Sequence, residues 1–353
     1  MSEKMIKRFV IFALALSLLC LLFTSCEKPK ERFTAYSFDY FDTVTTIIGY
    51  ADSKEDFDEV ADRVLADLAE YHKLFTTYHR FDGLENLCTI NELVDGAHRV
   101  ITVDRKIIDM LLYAREMHEK TGGKVNIAMG SVLSIWHEYR ELGTSSPADA
   151  KLPPHTLLED AAQHTDISSF LIDEENCTVT ITDPKMKLDV GAIAKGWAVE
   201  EIARSLEADG ITGFVLNIGG NVRTIGTKAD STPWTVGVEN PEDDPESPYF
   251  VELSLSGESL VSSGTYQRYY IVDGKRYHHI IDPDTLYPAE GYLMVSIVTK
   301  SSADGDALST ALFCMSVEEG LEIIESLPGT EAMWVLASGE QITSSGFSNY
   351  VKK

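Results

Sequence analysis

The chain has 353 residues, 44% of them hydrophobic, enough apolar material for one large core or two ordinary ones. Its formal net charge is −26. That balance excludes nucleic acid as a partner, because phosphate backbones need a basic face, and any anionic ligand must be met by a metal ion, helix N-termini or a few cationic side chains.

Lys4, Lys7 and Arg8 precede the apolar run Phe9–Phe23, and Thr24, Ser25 and Cys26 follow it. The run is short and ends in small residues, so residues 1–25 read as a secretory signal peptide rather than a membrane span. Small residues directly before a cysteine are similar to the bacterial lipobox, with Phe23 where leucine is usual, which makes Cys26 the expected lipidation site. An uncleaved N-terminal anchor is the competing reading. Both put the working domain outside the cytoplasm, tethered to the cell membrane, with residues 26–37 as a polar stalk and 38–353 as the domain. Cys88, Cys177 and Cys314 remain, an odd number without CxxC spacing, so neither a disulfide framework nor a zinc site is expected.

Residues 41–50 (FDTVTTIIGY) alternate and are β-rich, which predicts a strand. Apolar residues from Phe57 to Leu74 recur at helical spacing within Asp56–Phe75, and Val103–Lys120 is a second helix ending at Gly122-Gly123. Between them lies a polar, aromatic loop, FTTYHRFDGLENLCTINE. The strip KVNIAMGSVLSIWHEYRE and a Ser/Pro/Ala loop come next. FLIDEENCTVTITD reads as a hairpin turning at residues 174–176, Ala192–Ala208 as a helix, and GFVLNIGGNVRTIG as strand, glycine turn, strand. Two further strands flank an acidic, proline-rich loop. Asp273-Gly274 marks another hairpin, YLMVSIVTK a strand and Ser302–Met315 a helix, with one more helix and two short strands at the C-terminus. No regular βαβ beat or repeat appears, so the predicted class is α+β in a single domain.

Four stretches carry candidate chemistry. KLDVGAIAKGWAVEEIA joins a strand to a helix N-terminus beside Lys195, an arrangement that suits a phosphate but is also a common structural corner. The glycines Gly219 and Gly220 in NIGGNVR would let the backbone lie against a flat ligand, or simply turn the chain. In SSADGDALSTALF, Asp306 and Thr310 are i,i+4, one carboxylate and one hydroxyl on one helix face, hard ligands that suit Mg²⁺. The same residues also read as ordinary compensation of a helix start, with Ser301 or Ser302 as N-cap. HHIIDPDTLYP, residues 278–288, sets a histidine beside aspartates, a reasonable general base or a turn signal. Tyr78, Trp136, Trp197 and Tyr266 are stacking candidates that serve equally as core.

In this order, LDVGAIAKGWA, NIGGNVR, SSGTYQRYYIVDGKRYHHIIDPDTLYP and ADGDALSTALF resemble the ApbE family of FAD:protein FMN transferases, over about residues 38–340. The resemblance implies an α+β transferase that splits FAD at its pyrophosphate with Mg²⁺. It would release AMP and attach FMN through a phosphoester to a threonine of an acceptor protein, an extracytoplasmic redox protein; many members are lipoproteins. Carried onto this chain, it implies a metal site at the Ala192 carbonyl, Asp306 and Thr310. Asp189 and Lys195 would lie on FAD, and Phe41, Tyr78, Ala128, Met129, Gly130, Gly219, Gly220 and Ser263 would contact the nucleotide. His279 would be the base and Asp282 its support, with His278 incidental and Pro283, Asp284 and Pro288 shaping the exit turn. Asn126, Ala128, Ser131, Asn221 and Ala303 depart from the common family pattern. The same residues would equally serve an Mg²⁺-dependent FAD pyrophosphatase that uses water, whereas a lipoprotein that only carries FAD would need no base.

Overall fold

The computed structural model describes residues 29–92, 100–240 and 246–353. The expected signal segment, and Cys26, lie outside the described residues. β1 (Glu31–Ser37) pairs along its length with β2 (Thr45–Ala51), and Phe33 and Ala35 pack on the core. The polar stalk expected through residue 37 is therefore corrected: residues 31–37 belong to the fold. An edge strand needs only one apolar face, and the flanking charges of Glu31 and Arg32 hide so short an alternation.

α1 (Lys54–Phe75) is capped by the Ser53 hydroxyl, which accepts the Asp56 N–H, and buries Phe57, Val64, Leu68 and Leu74 on one face. α2 (Leu87–Asn91) lies within the expected loop; its capping box, between Asn86 and Thr89, was the available signal. β3 (Val100–Thr102), α3 (Arg105–Lys120), α4 (Gly130–Ser145) and α5 (His155–Ala162) follow. β4 (Phe170–Asp173) and β5 (Thr178–Ile181) form the expected hairpin and join β3 in a small sheet.

α6 (Ala194–Ala208) leads to β6 (Phe214–Ile218) and β7 (Asn221–Ile225), then to the ribbon β8 (Trp234–Glu239) and β9 (Tyr249–Leu255). β10 (Ser259–Gly264) precedes a second ribbon, β11 (Tyr269–Val272) with β12 (Lys275–His278). β13 (Tyr292–Thr299), α7 (Ser302–Phe313), α8 (Val317–Ser326), β14 (Glu331–Leu336) and β15 (Gln341–Thr343) complete the chain. The main sheet has eight strands in the order β1-β2-β6-β7-β10-β13-β14-β15, and each neighbouring pair is antiparallel. This is the α+β architecture that the sequence predicts.

The strand alternation feeds two cores. Val295 and Ile297 of β13 and Ala332 and Trp334 of β14 face the helical layer. Met294, Val298, Met333 and Val335 face the other way, under Val238, Leu253 and Leu255 of the β8–β9 ribbon. A third cluster, with Val132, Trp136, Leu158, Tyr270 and Ile281, ties α4, α5 and β11 together beside the main body.

The crossing of α6 over α7 is unusually close at Gly196. A Cβ there would lie 2.4 Å from both the Asp306 Cβ and the Ser302 carbonyl oxygen. The crossing is closed by two exchanged carboxylates. Asp306 of α7 accepts the Gly196 N–H at 2.8 Å, and Glu200 of α6 accepts the Ser302 N–H at 2.8 Å. Both N–H groups lie in first turns, where a helix has no partner of its own to offer. Gly196→Ala should therefore push the helices apart at a cost of about 1–3 kcal/mol, read as a lower melting temperature. An unchanged melting curve would contradict the close crossing.

Candidate active site

A cleft of about 470 Å³ opens where the third cluster meets the main body. One wall is the strip 124–129, which runs beside residues 187–189: Gly130 N–H donates to the Lys187 carbonyl and Asp189 N–H to the Ile127 carbonyl. The side-chain amide of Asn91 pins that second segment by bonding both the N–H and the carbonyl of Leu188. Leu133, Trp136, His137 and Arg140, on one face of α4, form a second wall. The turn Gly191–Ala192, Lys195, Thr310, His279 and the Gln267–Arg268 loop close the rest.

Most of the anticipated residues converge here. Tyr78, Met129, Asp189, Ala192, Lys195, Gly219, His279 and Thr310 all line the cleft. Phe41 lines an adjoining lobe that shares Tyr78, Asp189 and Lys195 with it. Ala128 and Gly130 sit behind Met129 in the strip, fully or almost fully covered. Gly219 and Gly220 both have positive φ, 57° and 91°, and form the two-residue turn between β6 and β7. The turn reading thus holds for both, and Gly219 also reaches the cleft.

Three expectations are modified. Ser263 does not line the cleft; its hydroxyl is bonded to Ser309 at 2.8 Å and braces α7 one residue before Thr310. Asp282 is bonded to Lys124 at 3.0 Å and to the Asp284 N–H, so it holds the turn and a cleft lysine, not the imidazole of His279. Of the aromatic candidates, Trp136 is core, its N–H donating to the Leu286 carbonyl, while Trp197 packs on Tyr113 and Tyr266 bonds Glu239. Tyr78 alone is open, its ring 5.0 Å from that of His137.

The two adjacent histidines separate cleanly. His278 uses both ring nitrogens, Nε2 against the Ala289 carbonyl and Nδ1 accepting the Ile280 N–H, and is structural. His279 Nδ1 is buried without a hydrogen-bond partner among the described residues, which leaves Nε2 as the nitrogen open to the cleft. Burial pushes its pKa down to about 3, helped by Arg268, Arg140, His278 and Lys195. Burial also raises Asp189, against the Gly191 N–H and the nearby His137, Arg140 and Arg268.

Asp306 lies 3.4 Å from Lys195 through Oδ1 while its Oδ2 takes the Gly196 N–H. Among the described residues no main-chain N–H is directed at the Ala192 carbonyl, because the Gly196 N–H that would reach it is taken by Asp306. One buried carboxylate, one hydroxyl and one free carbonyl are hard oxygen donors that fit Mg²⁺ completed by waters and ligand oxygens. No group of three or more His, Cys, Asp or Glu side chains is arranged for a metal among the described residues, which the Mg²⁺ fit does not require.

A family model, that of the ApbE family, matches residues 41–334. The chain belongs to the ApbE family. It is 32% identical over 270 residues to an FAD:protein FMN transferase of Klebsiella pneumoniae, covering 74% of this chain and 81% of that one. A protein of the same name from Vibrio cholerae is 30% identical, with 87% and 88% covered. A crystal structure of the ApbE protein from Thermotoga maritima superposes with TM-score 0.78 at 28% identity, covering 92% of this chain and all of that one. The ApbE fold thus accounts for the convergence of motifs that lie far apart in sequence.

Sequence reasoning missed Arg140, Arg268, His137 and Lys124. Their signal was the charge balance: an acidic chain that binds an anion must gather cations, and Arg140 stands three residues after His137 on the α4 face. The titration of His279 tests the site. Its NMR signals should stay those of a neutral ring from about pH 8 to about pH 4.5, whereas a midpoint near 6.5 would refute the burial argument. Because the unfolded chain binds that proton and the native one does not, stability should fall as pH drops below about 6.5.

Proposed function

We propose that this chain is an FAD:protein FMN transferase, which moves the FMN moiety of FAD to a threonine hydroxyl of an acceptor protein and releases AMP. The observation that carries this reading is a single cleft, in an ApbE fold, that gathers His279, Lys195, Ala192 and Thr310, with Asp306 directly behind Lys195.

His279 accepts the threonine proton at Nε2, since a hydroxyl is a poor nucleophile until a positioned base takes its hydrogen. With Nδ1 unpaired and cations around it, the free imidazole is a weak base. An arriving pyrophosphate neutralises Arg140, Arg268 and Lys195 and so strengthens it. Lys195 sits at the first turn of α6, whose N-terminus adds its own partial positive charge toward a phosphate. Ala192, Asp306 and Thr310 would hold Mg²⁺, which supplies charge neutralisation at the pyrophosphate. Lys124, fixed by Asp282 and Asp284, lines the same cleft as His279.

Transfer is favoured over hydrolysis by the relatives, which carry the transferase name from Klebsiella to Vibrio. The N-terminal signal and Cys26 support an extracytoplasmic, lipid-anchored location, where an acceptor redox protein would be met. Intact-mass analysis of the membrane-extracted protein should show a chain that begins at Cys26 and carries a diacylglyceryl group; a chain beginning at Met1 would refute the anchor.

The activity test uses the full-length protein with FAD, Mg²⁺ and an acceptor domain that carries a flavinylation threonine. A mass gain of one FMN on the acceptor is expected; FMN and AMP free in solution would instead indicate a pyrophosphatase, and intact FAD would sink both. His279→Ala should slow transfer by about 10²–10⁴-fold and leave FAD binding in place. Asp306→Ala should weaken the Mg²⁺ response and the rate together, so an unchanged metal titration would exclude it as a ligand.

A further inference from the structure

Two asparagines that do not line the cleft hold two of its sides. Asn86 is fully buried. Its Nδ2 donates to the Lys73 carbonyl at 2.9 Å and to the His79 carbonyl at 2.8 Å, and its Oδ1 accepts the Thr89 N–H at 3.0 Å. The Cys88 N–H donates to the Thr76 carbonyl. Residues 76–79, which carry Tyr78, are thereby tied at both ends to the start of α2. At the other end of α2, Asn91 takes both main-chain groups of Leu188. It donates to the Leu188 carbonyl at 2.8 Å and accepts the Leu188 N–H at 2.7 Å.

The backbone around Leu188 shows what that amide replaces. In extended chain, the main-chain groups of successive residues point to opposite sides. The Lys187 carbonyl and the Asp189 N–H turn toward the strip 127–130, so the N–H and carbonyl of Leu188 face away from it. Among the described residues no strand follows on that side. Asn91 supplies one donor and one acceptor there, the pair that a neighbouring strand would offer. Leu188 is only 1% exposed, so removing the amide leaves two covered backbone groups unmet. Asp189 comes next in the chain, and its Oδ1 accepts the Gly191 N–H at 2.8 Å in the turn that leads to Ala192. A five-residue helix has little stability of its own, and α2 is held by its capping box and by buried Leu87, Cys88 and Ile90. It serves as a packed spacer between the Tyr78 loop and the Asp189 turn.

We propose that Asn91 is a positioning residue for the nucleotide: acting in place of a strand, its amide sets Asp189 and the Ala192 turn at a fixed distance from the Tyr78 loop. That role rests on the reading that FAD occupies the cleft, and it adds a side chain that acts from behind the cleft wall.

Binding of FAD to the full-length chain, followed by flavin fluorescence, tests this without turnover. Asn91→Asp keeps the size of the side chain but sets an oxygen against the Leu188 carbonyl. FAD affinity should fall about tenfold, and the loss should persist in about 1 M salt, where an added charge is screened. Asn91→Ala should show a similar loss and keeps the test available if Asn91→Asp fails to fold. In the transfer assay both variants should raise the KM for FAD and leave the KM for the acceptor protein unchanged. Ser344→Ala is the control for general destabilisation, because it removes the hydroxyl that accepts the Ala332 N–H on β14; it should lower the melting temperature without changing FAD affinity. Wild-type FAD affinity in both Asn91 variants overturns the positioning role. So does an equal loss in Ser344→Ala, or a loss confined to Asn91→Asp that salt abolishes. A wild-type chain that binds FAD but transfers no FMN loses the transferase reading alone, and the affinity comparison still decides the role of Asn91. A chain that transfers FMN and binds FAD equally well without the Asn91 amide loses the positioning role alone. A wild-type chain that binds no FAD loses both.

Discussion

The site depends on the exchange of carboxylates between α6 and α7. Each helix starts with N–H groups that no residue of its own can satisfy, and each is met by an acid from the other. Glu200 is fixed for this role by Arg223, Nε to Oε2 at 3.1 Å, and by Arg204 at 3.0 Å. Asp306 is fixed by the missing side chain at Gly196, which lets the helices touch. The consequence reaches the cleft directly. Because Asp306 claims the Gly196 N–H, the Ala192 carbonyl keeps its lone pairs, and Lys195 is brought within 3.4 Å of the same carboxylate. The helix crossing and the candidate metal site are one piece of geometry.

A second constraint is electrostatic. A chain with a net charge of −26 repels anions at long range, so an anionic substrate can be held only where the field is locally reversed. Reversal is achieved by position. Arg140 comes from α4, Lys195 from α6, Arg268 from the loop before β11 and Lys124 from the strip before α4. Two of these are tied down by acids and two are not. The tied pair is held in place in the absence of any ligand, whereas the untied pair has its charge available to one.

Long periodic elements were legible in the sequence. α1, α3 and α6 fall within one or two residues of their expected bounds because their apolar spacing is sustained over several turns. The hairpins at Asp273-Gly274 and Gly219-Gly220 were legible because left-handed turns restrict residue choice so strongly. β1, β3, α2, α4 and α5 were missed. β1 is an edge strand with a weak alternation, α2 is a single capped turn, and α4 has apolar residues on too much of its surface because it packs against the third cluster and the cleft at once. For the site, motif resemblance named residues that the fold gathers around one cleft, Lys195, His279 and Thr310 among them, since these sit in short, ordered signatures. Arg140 and Arg268 carry no local signature; they matter through the cleft they share, and that is a property of three-dimensional neighbourhoods.

The paired histidines show why residue type alone could not assign chemistry. His278 ends β12 and His279 follows it, so the strand's alternation sends one ring inward and the next into the cleft. His278 finds an acceptor for Nε2 and a donor for Nδ1, and is thereby locked as a neutral brace between Ala289 and Ile280. His279 finds neither. For Nε2 to accept a proton, Nδ1 must carry the ring hydrogen, and no group among the described residues receives it. An unmet buried N–H weakens a base, and so do the surrounding cations. The second penalty would fall on entry of an anionic substrate, whose charge would offset the cations and stabilise the imidazolium as it forms. Acting as the proposed base, His279 would be poor in the empty site and stronger in the filled one, and proton abstraction would be coupled to nucleotide binding by electrostatics, with no moving part required.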